Sequence, residues 1–230
     1  MKFVRGRIDS IDFVSRRTRR IRISGPGLRG LDWVPGQQVR VLVGSGPGRG
    51  NRLPGPLRTY SVWDYDGGAV HLCVADHDGD DPGSLWARNA SPGQEVMFTK
   101  PEGSFITRPA PYHVFAGEET AAIAIGPMLA ALPPGTAAYA VIEVDTAEDR
   151  LPMPAAVTWC YRRGAAAASS PVLPASVAEL DLPDEPGIAY VAGEARTVQA
   201  VRQHLVQDRG WQRRAIITKP FWAPGKKGMD

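Results

Sequence analysis

Four consecutive residues, Arg58-Thr59-Tyr60-Ser61, combine groups that bind a phosphate with groups that bind a flat ring. Side chains alternate in direction along a strand, so Arg58 and Tyr60 share one face. The Arg58 guanidinium can hold a phosphate through two parallel hydrogen bonds. The Tyr60 ring can lie against a heteroaromatic ring, and the Ser61 hydroxyl can reach its edge. A phosphate and a planar ring together indicate a flavin nucleotide; a half-buried strand with a surface arginine is the alternative interpretation.

A second candidate segment runs from His77 to Ala87. A turn of small residues that feeds a short helix leaves backbone N–H groups without partners, and these groups attract a pyrophosphate. Pro82 suits the first helical turn, and Ser84 is the expected cap. Three aspartates in the same segment favour the alternative of a plain surface turn. Their spacing matches no calcium-binding loop, so we predict no metal site.

Two later turns, Gly117 to Ala121 and Gly193 to Ala195, repeat the order strand, glycine, acid, helix. Ligands of open α/β sheets bind at the carboxyl ends of strands, where helices begin. Acids at a helix start also stabilise the helix dipole, which is the alternative interpretation of Glu118 and Glu119. Residues 108–230 contain no Gly-x-Gly-x-x-Gly motif, so any nicotinamide nucleotide must be bound in another way.

Aromatic residues lie beside basic residues near the end of the sequence, from Ile217 to Gly228. This segment includes Lys219, Trp222, Lys226 and Lys227. We expect it either to close over a flavin or an anionic ligand, or to form a solubilising tail.

The elements that must position these groups differ between two parts of the chain. Residues 1–107 contain about six short strands separated by glycine and proline turns, which predicts an antiparallel barrel or sandwich, and we favour the barrel. Strands alternate with helices in residues 108–230, which predicts a parallel α/β sheet whose last strand covers residues 215–218. The expected linker between the two domains is the segment 107–111.

Composition excludes several classes of protein. The chain has 230 residues and a formal net charge of only +3, which argues against a nucleic-acid-binding protein. No apolar run reaches the roughly 18 residues of a membrane span, and the first residues lack the apolar core of a signal peptide. Cys73 and Cys160 belong to no metal or redox motif. These features predict a cytoplasmic, monomeric protein that contacts neither membrane nor nucleic acid.

In this order and spacing the motifs resemble those of the siderophore-interacting protein family, flavoprotein ferric-siderophore reductases related to ferredoxin reductases. The resemblance covers nearly the whole chain. The family's Arg-x-Tyr-Thr/Ser motif matches residues 58–61, and its His followed by Gly-Pro-x-Ser-x-Trp-Ala matches 77–87. Its Ala-Gly-Asp-Glu-Thr-Ala turn matches 116–121, with Glu118 in place of Asp, and its Val-Ala-Gly-Glu-Ala turn matches 191–195.

Several positions depart from the family's pattern. Trp63 replaces an arginine, Asp81 replaces a glycine beside the pyrophosphate site, and Ala223 replaces an arginine near the end of the chain. We expect the terminal lysines to compensate for the lost arginine. The helix predicted over residues 119–132 contains Pro127, which predicts a kink.

The resemblance implies an FAD-binding antiparallel six-stranded barrel followed by a parallel α/β domain that binds NAD(P)H. The implied activity is the reduction of ferric siderophores, with release of iron(II). A flavin reductase or electron-transfer flavoprotein of another pathway, and a non-catalytic ferric-siderophore-binding protein, remain open as alternatives. The candidate cofactor-binding residues are Arg58, Thr59, Tyr60, Ser61, His77, Pro82, Gly83, Ser84, Trp86, Gly117, Glu119, Thr120, Ala121, Gly193, Glu194 and Trp222. The candidate substrate-binding residues are Arg52, Lys219, Lys226 and Lys227.

Overall fold

The computed structural model describes residues 2–44, 55–76, 79–154 and 156–226. The chain divides into two compact units, Met1–Ser104 and Phe105–Asp230. The first unit is a closed six-stranded barrel, and the second contains a five-stranded parallel sheet. The predicted fold class, an antiparallel barrel followed by a parallel α/β domain, is confirmed.

Alternating sequence patterns build the barrel, because residues that alternate along a strand face its interior. Ile21, Ile23, Val39 and Val41 are completely buried in this way, together with Phe98 on another strand. The strands are antiparallel and close in the order β1-β2-β5-β4-β3-β6. Their bounds are β1 Phe3–Phe13, β2 Thr18–Ser24, β3 Gln38–Leu42, β4 Leu57–Tyr65, β5 Ala69–Ala75 and β6 Glu95–Thr99, with helix α1 at Pro82–Asn89.

The second unit carries its helices between the strands of a parallel sheet. Strand β7 is buried along its whole length, as expected of a parallel sheet covered on both faces. The sheet order is β11-β10-β7-β8-β9. Strands β8 and β9 lie on one side of β7, and β10 and β11 lie on the other, so the switch point of the topology is between β7 and β10. Such a switch point opens a crevice at the carboxyl ends of the two strands. The bounds are β7 Tyr112–Glu118, α2 Glu119–Ala130, β8 Ala137–Val144, β9 Thr158–Tyr161, α3 Val172–Ala178, β10 Ile188–Glu194, α4 Ala195–Gln207 and β11 Ile216–Trp222.

Two elements differ from the sequence-based expectation. The last strand was expected to end at Thr218, but β11 continues through Pro220 to Trp222. Proline is tolerated on an edge strand because the missing N–H faces away from the ladder, and β11 is such an edge. Helix α2 continues through Pro127 and ends at Ala130, two residues before the predicted end, and the kink at Pro127 stays a prediction.

Candidate functional site

The predicted flavin-binding residues of β4 lie against the first turn of α1. The Tyr60 hydroxyl donates to the Gly83 carbonyl oxygen at 3.1 Å, and the Tyr60 ring centroid lies 5.3 Å from that of Trp86. A Cβ atom added to Gly83 would stand only 2.9 Å from the Tyr60 hydroxyl and 3.4 Å from Cγ of Arg58. Two separate sequence motifs therefore meet in one place. Burial and the nearby charge of Asp81 raise the pKa of Tyr60, so its hydroxyl remains a donor.

Asp81, and not the predicted Ser84, caps helix α1. One Asp81 carboxylate oxygen, Oδ1, accepts from the backbone N–H groups of Gly83 at 2.8 Å and Ser84 at 3.3 Å. The other, Oδ2, accepts from the Ser84 hydroxyl at 2.5 Å. Partial burial acts to raise the pKa of Asp81, but these hydrogen bonds outweigh it and lower the pKa. The prediction of Ser84 as the cap is wrong because Ser84 lies inside the helix, where its hydroxyl donates to the true cap.

The residues of the barrel fit a flavin ring and one phosphate. Tyr60 is half-buried and supported from one side by Trp86, and Arg58 is half-buried beside it. The first-turn N–H groups of α1 do not fit a second phosphate as they stand, because Asp81 already occupies them. Thr59 is exposed and Ser61 half-buried on the same strand. His77 and Arg52, which were also assigned to ligands, lie outside the described residues.

The two candidate turns of the α/β unit meet at the switch point of the sheet. The Glu118 side chain packs directly on Gly193, where an added Cβ would lie 2.6 Å from Glu118 Oε1. Glu118 also caps α2, since its Oε2 accepts from the Thr120 N–H at 2.8 Å. Trp222 donates from Nε1 to the Oε1 atom of Glu118 at 3.1 Å. Burial, together with the charge of Glu119, raises the pKa of Glu118 to about 7.

Glu194 has the corresponding position at the start of α4. Its Oε2 atom accepts from the backbone N–H groups of Thr197 at 2.9 Å and Ser169 at 3.0 Å. The residue is completely buried. Burial alone would raise the pKa of Glu194, but the backbone hydrogen bonds lower it. Both helix N-termini at this crevice therefore carry a carboxylate of the chain on the groups that a nucleotide phosphate would need.

Glu119, a candidate cofactor-binding residue, belongs to a buried ion cluster. Arg162 donates to the two carboxylate oxygens of Glu119 at 2.7 and 2.5 Å and to Glu143 at 3.1 Å. Glu143 in turn accepts from the Ser170 hydroxyl at 2.7 Å and from the Leu173 N–H at 2.8 Å. These contacts tie the carboxyl ends of β8 and β9 to α2 and α3. The neighbouring acids Glu118 and Glu119 therefore have different roles.

A cavity at the carboxyl ends of β8 and β9 was not found by sequence reasoning. It has a volume of about 510 Å³ and is open to solvent. The available signal was the run from Tyr161 to Gly164, in which two basic residues directly follow the aromatic residue that ends a strand. Its lining residues are Asp145, Thr146, Ala147, Tyr161 and Arg163.

The candidate substrate residue Lys219 lies on β11 among aromatic rings. Its Nζ is 5.6 Å from the ring centroid of Phe221 and 6.0 Å from that of Phe105, both within range of a cation–π contact. Lys226 is exposed, and Lys227 lies outside the described residues. Within the part of the chain that the structure describes, three or more His, Cys, Asp or Glu side chains nowhere gather as a metal site. The helices of the same residues are too short or too polar to cross a membrane.

The two units together define a ferredoxin-reductase-like fold. Phthalate dioxygenase reductase has this fold: it superposes with a TM-score of 0.72 at 18% identity, over 97% of this chain and 70% of that one. The chain belongs to the siderophore-interacting protein family, because residues 110–225 match the model of the siderophore-interacting protein and residues 7–105 that of the siderophore-interacting FAD-binding domain.

One curated relative and two solved structures are similar to this chain. Ferric vibriobactin reductase ViuB of Vibrio cholerae is 31% identical over 178 residues, which cover 74% of this chain. The match spans 65% of ViuB, slightly less than two thirds of its length. A siderophore utilization protein from T. fusca superposes with a TM-score of 0.83 at 23% identity, over 100% of this chain and 95% of the other. The siderophore-interacting protein of Acinetobacter baumannii superposes with a TM-score of 0.85 at 18% identity, over 98% of this chain and 92% of the other.

Proposed function

We propose that this chain is an FAD-dependent oxidoreductase that reduces ferric siderophores with NAD(P)H and releases iron(II). The observation that supports it is the contact between Arg58, Tyr60 and the first turn of α1, inside a barrel that matches a siderophore-interacting FAD-binding domain. Bound FAD would supply the exchange between hydride and single-electron chemistry. The chain would supply binding and orientation, so no general base is needed.

In this proposal Tyr60 covers one face of the flavin ring and Arg58 binds a phosphate oxygen. Thr59 and Ser61 offer hydroxyl groups on the same strand, and His77 is assigned to the ribose or phosphate. The remaining flavin-binding residues are those of the adjoining helix start, Pro82, Gly83, Ser84 and Trp86. Tyr60 is held in place by its hydrogen bond to Gly83 and by Trp86, so the ring is already oriented before a ligand binds.

The pyridine nucleotide is assigned to the crevice between β7 and β10. Carboxylates accept hydrogen bonds from hydroxyl groups and repel phosphates, so Glu118 and Glu194 favour ribose hydroxyls over phosphates at this place. The candidate nucleotide-binding residues are Gly117, Glu119, Thr120, Ala121, Gly193, Glu194 and Trp222. Among them, Glu119 contributes through its ion pair with Arg162, which fixes the start of α2.

Four basic side chains are assigned to binding of the ferric siderophore, which is the electron acceptor. Many ferric siderophores are anionic, and Arg52, Lys219, Lys226 and Lys227 would attract them. Iron(II) binds hard oxygen ligands less tightly than iron(III), so reduction would release the metal. Attraction by exposed charges weakens with salt, because the Debye length falls to about 8 Å at physiological ionic strength.

The alternative of a non-catalytic ferric-siderophore-binding protein is supported by one specific observation. Asp81, which replaces a glycine of the family's pattern, places a carboxylate on the N–H groups at the start of α1, where a flavin phosphate would otherwise bind. A protein that does not bind FAD would have no use for free N–H groups at this place. The flavin reductase of another pathway is the remaining alternative.

One experiment distinguishes the three functions. The purified protein is reconstituted with FAD, freed of unbound flavin and examined by visible absorption, then mixed anaerobically with NADH or NADPH and finally with a ferric siderophore. Iron(II) is measured with a chromophoric iron(II) chelator. Flavin reduction followed by iron(II) release supports the proposal. Flavin reduction without iron(II) release favours the flavin reductase, and absence of bound flavin favours the binding protein.

A further inference from the structure

The carboxylate of Asp81 occupies the position that a phosphate would take at the start of α1. A phosphate at a helix N-terminus accepts hydrogen bonds from first-turn N–H groups and from nearby hydroxyls. Asp81 accepts from this same set of donors, namely two backbone N–H groups and the Ser84 hydroxyl, at 2.8, 3.3 and 2.5 Å. The three contacts satisfy the donors without any ligand.

The same carboxylate also acts on the other phosphate-binding group of the site. Asp81 and Arg58 are close enough for the charge of Arg58 to lower the pKa of Asp81. Asp81 Oδ1 would lie 3.1 Å from a Cβ on Gly83, and Arg58 Cγ 3.4 Å from the same point. A flavin phosphate that approaches this place therefore meets a negative charge and donors that are already in use.

We propose that Asp81 determines which flavins the barrel binds, by competing with their phosphates for the start of α1. The inference rests on the proposed flavin site. In this chain the ring contact with Tyr60 then supplies most of the affinity, and the diphosphate of FAD adds little until Asp81 is displaced. Removal of the charge at Asp81 removes its repulsion of the phosphates and weakens its hold on the N–H groups, and it leaves the ring contact unchanged.

The chain offers a matched pair of variants for this test. Asp81→Asn removes the charge but keeps a good helix cap, because asparagine caps helices as well as aspartate does. Asp80→Asn removes the same charge one residue away. The Asp80 side chain is 96% exposed, and its ion pair with Arg88, at 3.5 Å, leaves the donors of the helix start untouched. The helix itself is anchored by Trp86 and Ala87 in the barrel core.

The experiment measures dissociation constants of riboflavin, FMN and FAD for the full chain and both variants, by flavin fluorescence and calorimetry at low salt. Circular dichroism of each variant confirms that the fold is retained. For Asp81→Asn we expect FAD and FMN to bind about tenfold more tightly, the size of one charge interaction at about 4 Å, while riboflavin is unchanged. For Asp80→Asn we expect no change in the ratio between FAD and riboflavin.

Three results would overturn the inference, and they differ in what they say about the flavin site. If Asp81→Asn and Asp80→Asn give the same ratio of FAD to riboflavin affinity, Asp81 does not compete with phosphate, and the flavin site stands. If no flavin binds to the wild type or to either variant, the flavin site itself is wrong and the inference falls with it. Weaker FAD binding by Asp81→Asn would show that Asp81 assists the ligand, which also contradicts the inference.

Discussion

The indole Nε1 of Trp222 donates a hydrogen bond to Oε1 of Glu118 at 3.1 Å, across the carboxyl end of strand β10. Trp222 is the last residue of β11, and Glu118 is the last residue of β7. Gly193 lies between them in the sheet and leaves the space that the carboxyl group occupies. The buried Glu118 carboxyl group therefore accepts hydrogen bonds from Trp222 of β11 and from the first turn of α2, and it packs on Gly193 of β10.

Glu118 should make the stability of the protein depend on pH. Burial and the charge of Glu119 raise its pKa from 4.5 to about 7, so the folded state binds more protons than the unfolded state between these values. This contribution to stability is therefore complete below about pH 4.5 and is lost as the pH rises through about 7. We expect the free energy of unfolding of Glu118→Gln to fall less over this range than that of the wild type, by up to about 3 kcal/mol.

Urea unfolding at several pH values measures this difference. Glutamine keeps the shape of the side chain but has one acceptor oxygen, so it can accept from the Thr120 N–H or from Trp222 and not from both. That loss is the same at every pH, so the slope of stability against pH, and not its absolute value, reports the titration of Glu118. Parallel pH profiles for the two proteins would show that Glu118 does not titrate in this range.

Gly193→Ala should strongly destabilise the protein. Gly193 has a φ of 119°, and a Cβ there would lie 2.6 Å from Glu118 Oε1. Backbone strain and the clash together should cost at least about 2 kcal/mol. Gly210→Ala is the control, because its φ is 68° but a Cβ there meets nothing within 4 Å. Equal losses in chemical denaturation would contradict the argument from the Glu118 contact.

The strands were predictable from sequence where a periodic pattern reflects burial. The alternation in β2 and the continuous apolar run in β8 correspond to barrel and parallel-sheet burial, respectively. The end of β11 was not predictable because Pro220 is compatible with a strand only at a sheet edge, and sheet order is a tertiary property.

Roles of individual acids were less predictable than the positions of the turns. Glu118 and Glu119 are adjacent in sequence, yet Glu118 caps α2 and Glu119 pairs with Arg162, 43 residues away. Arg162, the partner of Glu119, directly follows β9, and no sequence pattern near Glu119 predicts this pair. The choice of Asp81 over Ser84 as the cap of α1 depends likewise on where the helix begins, and boundaries of one or two residues are not fixed by composition.

Arg162→Ala should cost about 3–5 kcal/mol, because it leaves two carboxylates buried without their cation. The Arg162 and Glu143 side chains are only 3% and 1% exposed, and that of Glu119 is 15% exposed. Arg163→Asn is the control: Arg163 is the next residue, is exposed, and has a positive φ of 54° that asparagine tolerates. Chemical denaturation of both variants measures the difference, and comparable losses would show that the cluster adds little to stability.

Tyr60 should contribute to flavin binding through its ring and to stability through its hydroxyl. Tyr60→Phe removes the hydrogen bond to Gly83 but keeps the ring beside Trp86, so we expect a loss of stability of about 0.5–1.5 kcal/mol with flavin affinity unchanged. Tyr60→Ala removes the ring and should weaken flavin binding by roughly 1–3 kcal/mol, the size of an aromatic stacking contact. Flavin titrations and urea unfolding of the two variants separate these effects. If Tyr60→Ala and Tyr60→Phe both bind flavin as tightly as the wild type does, the ring is not part of the site. If instead both variants lose affinity equally, the hydroxyl acts on the ligand by fixing the start of α1, and the phosphate end of the site would then be the part that Tyr60 controls.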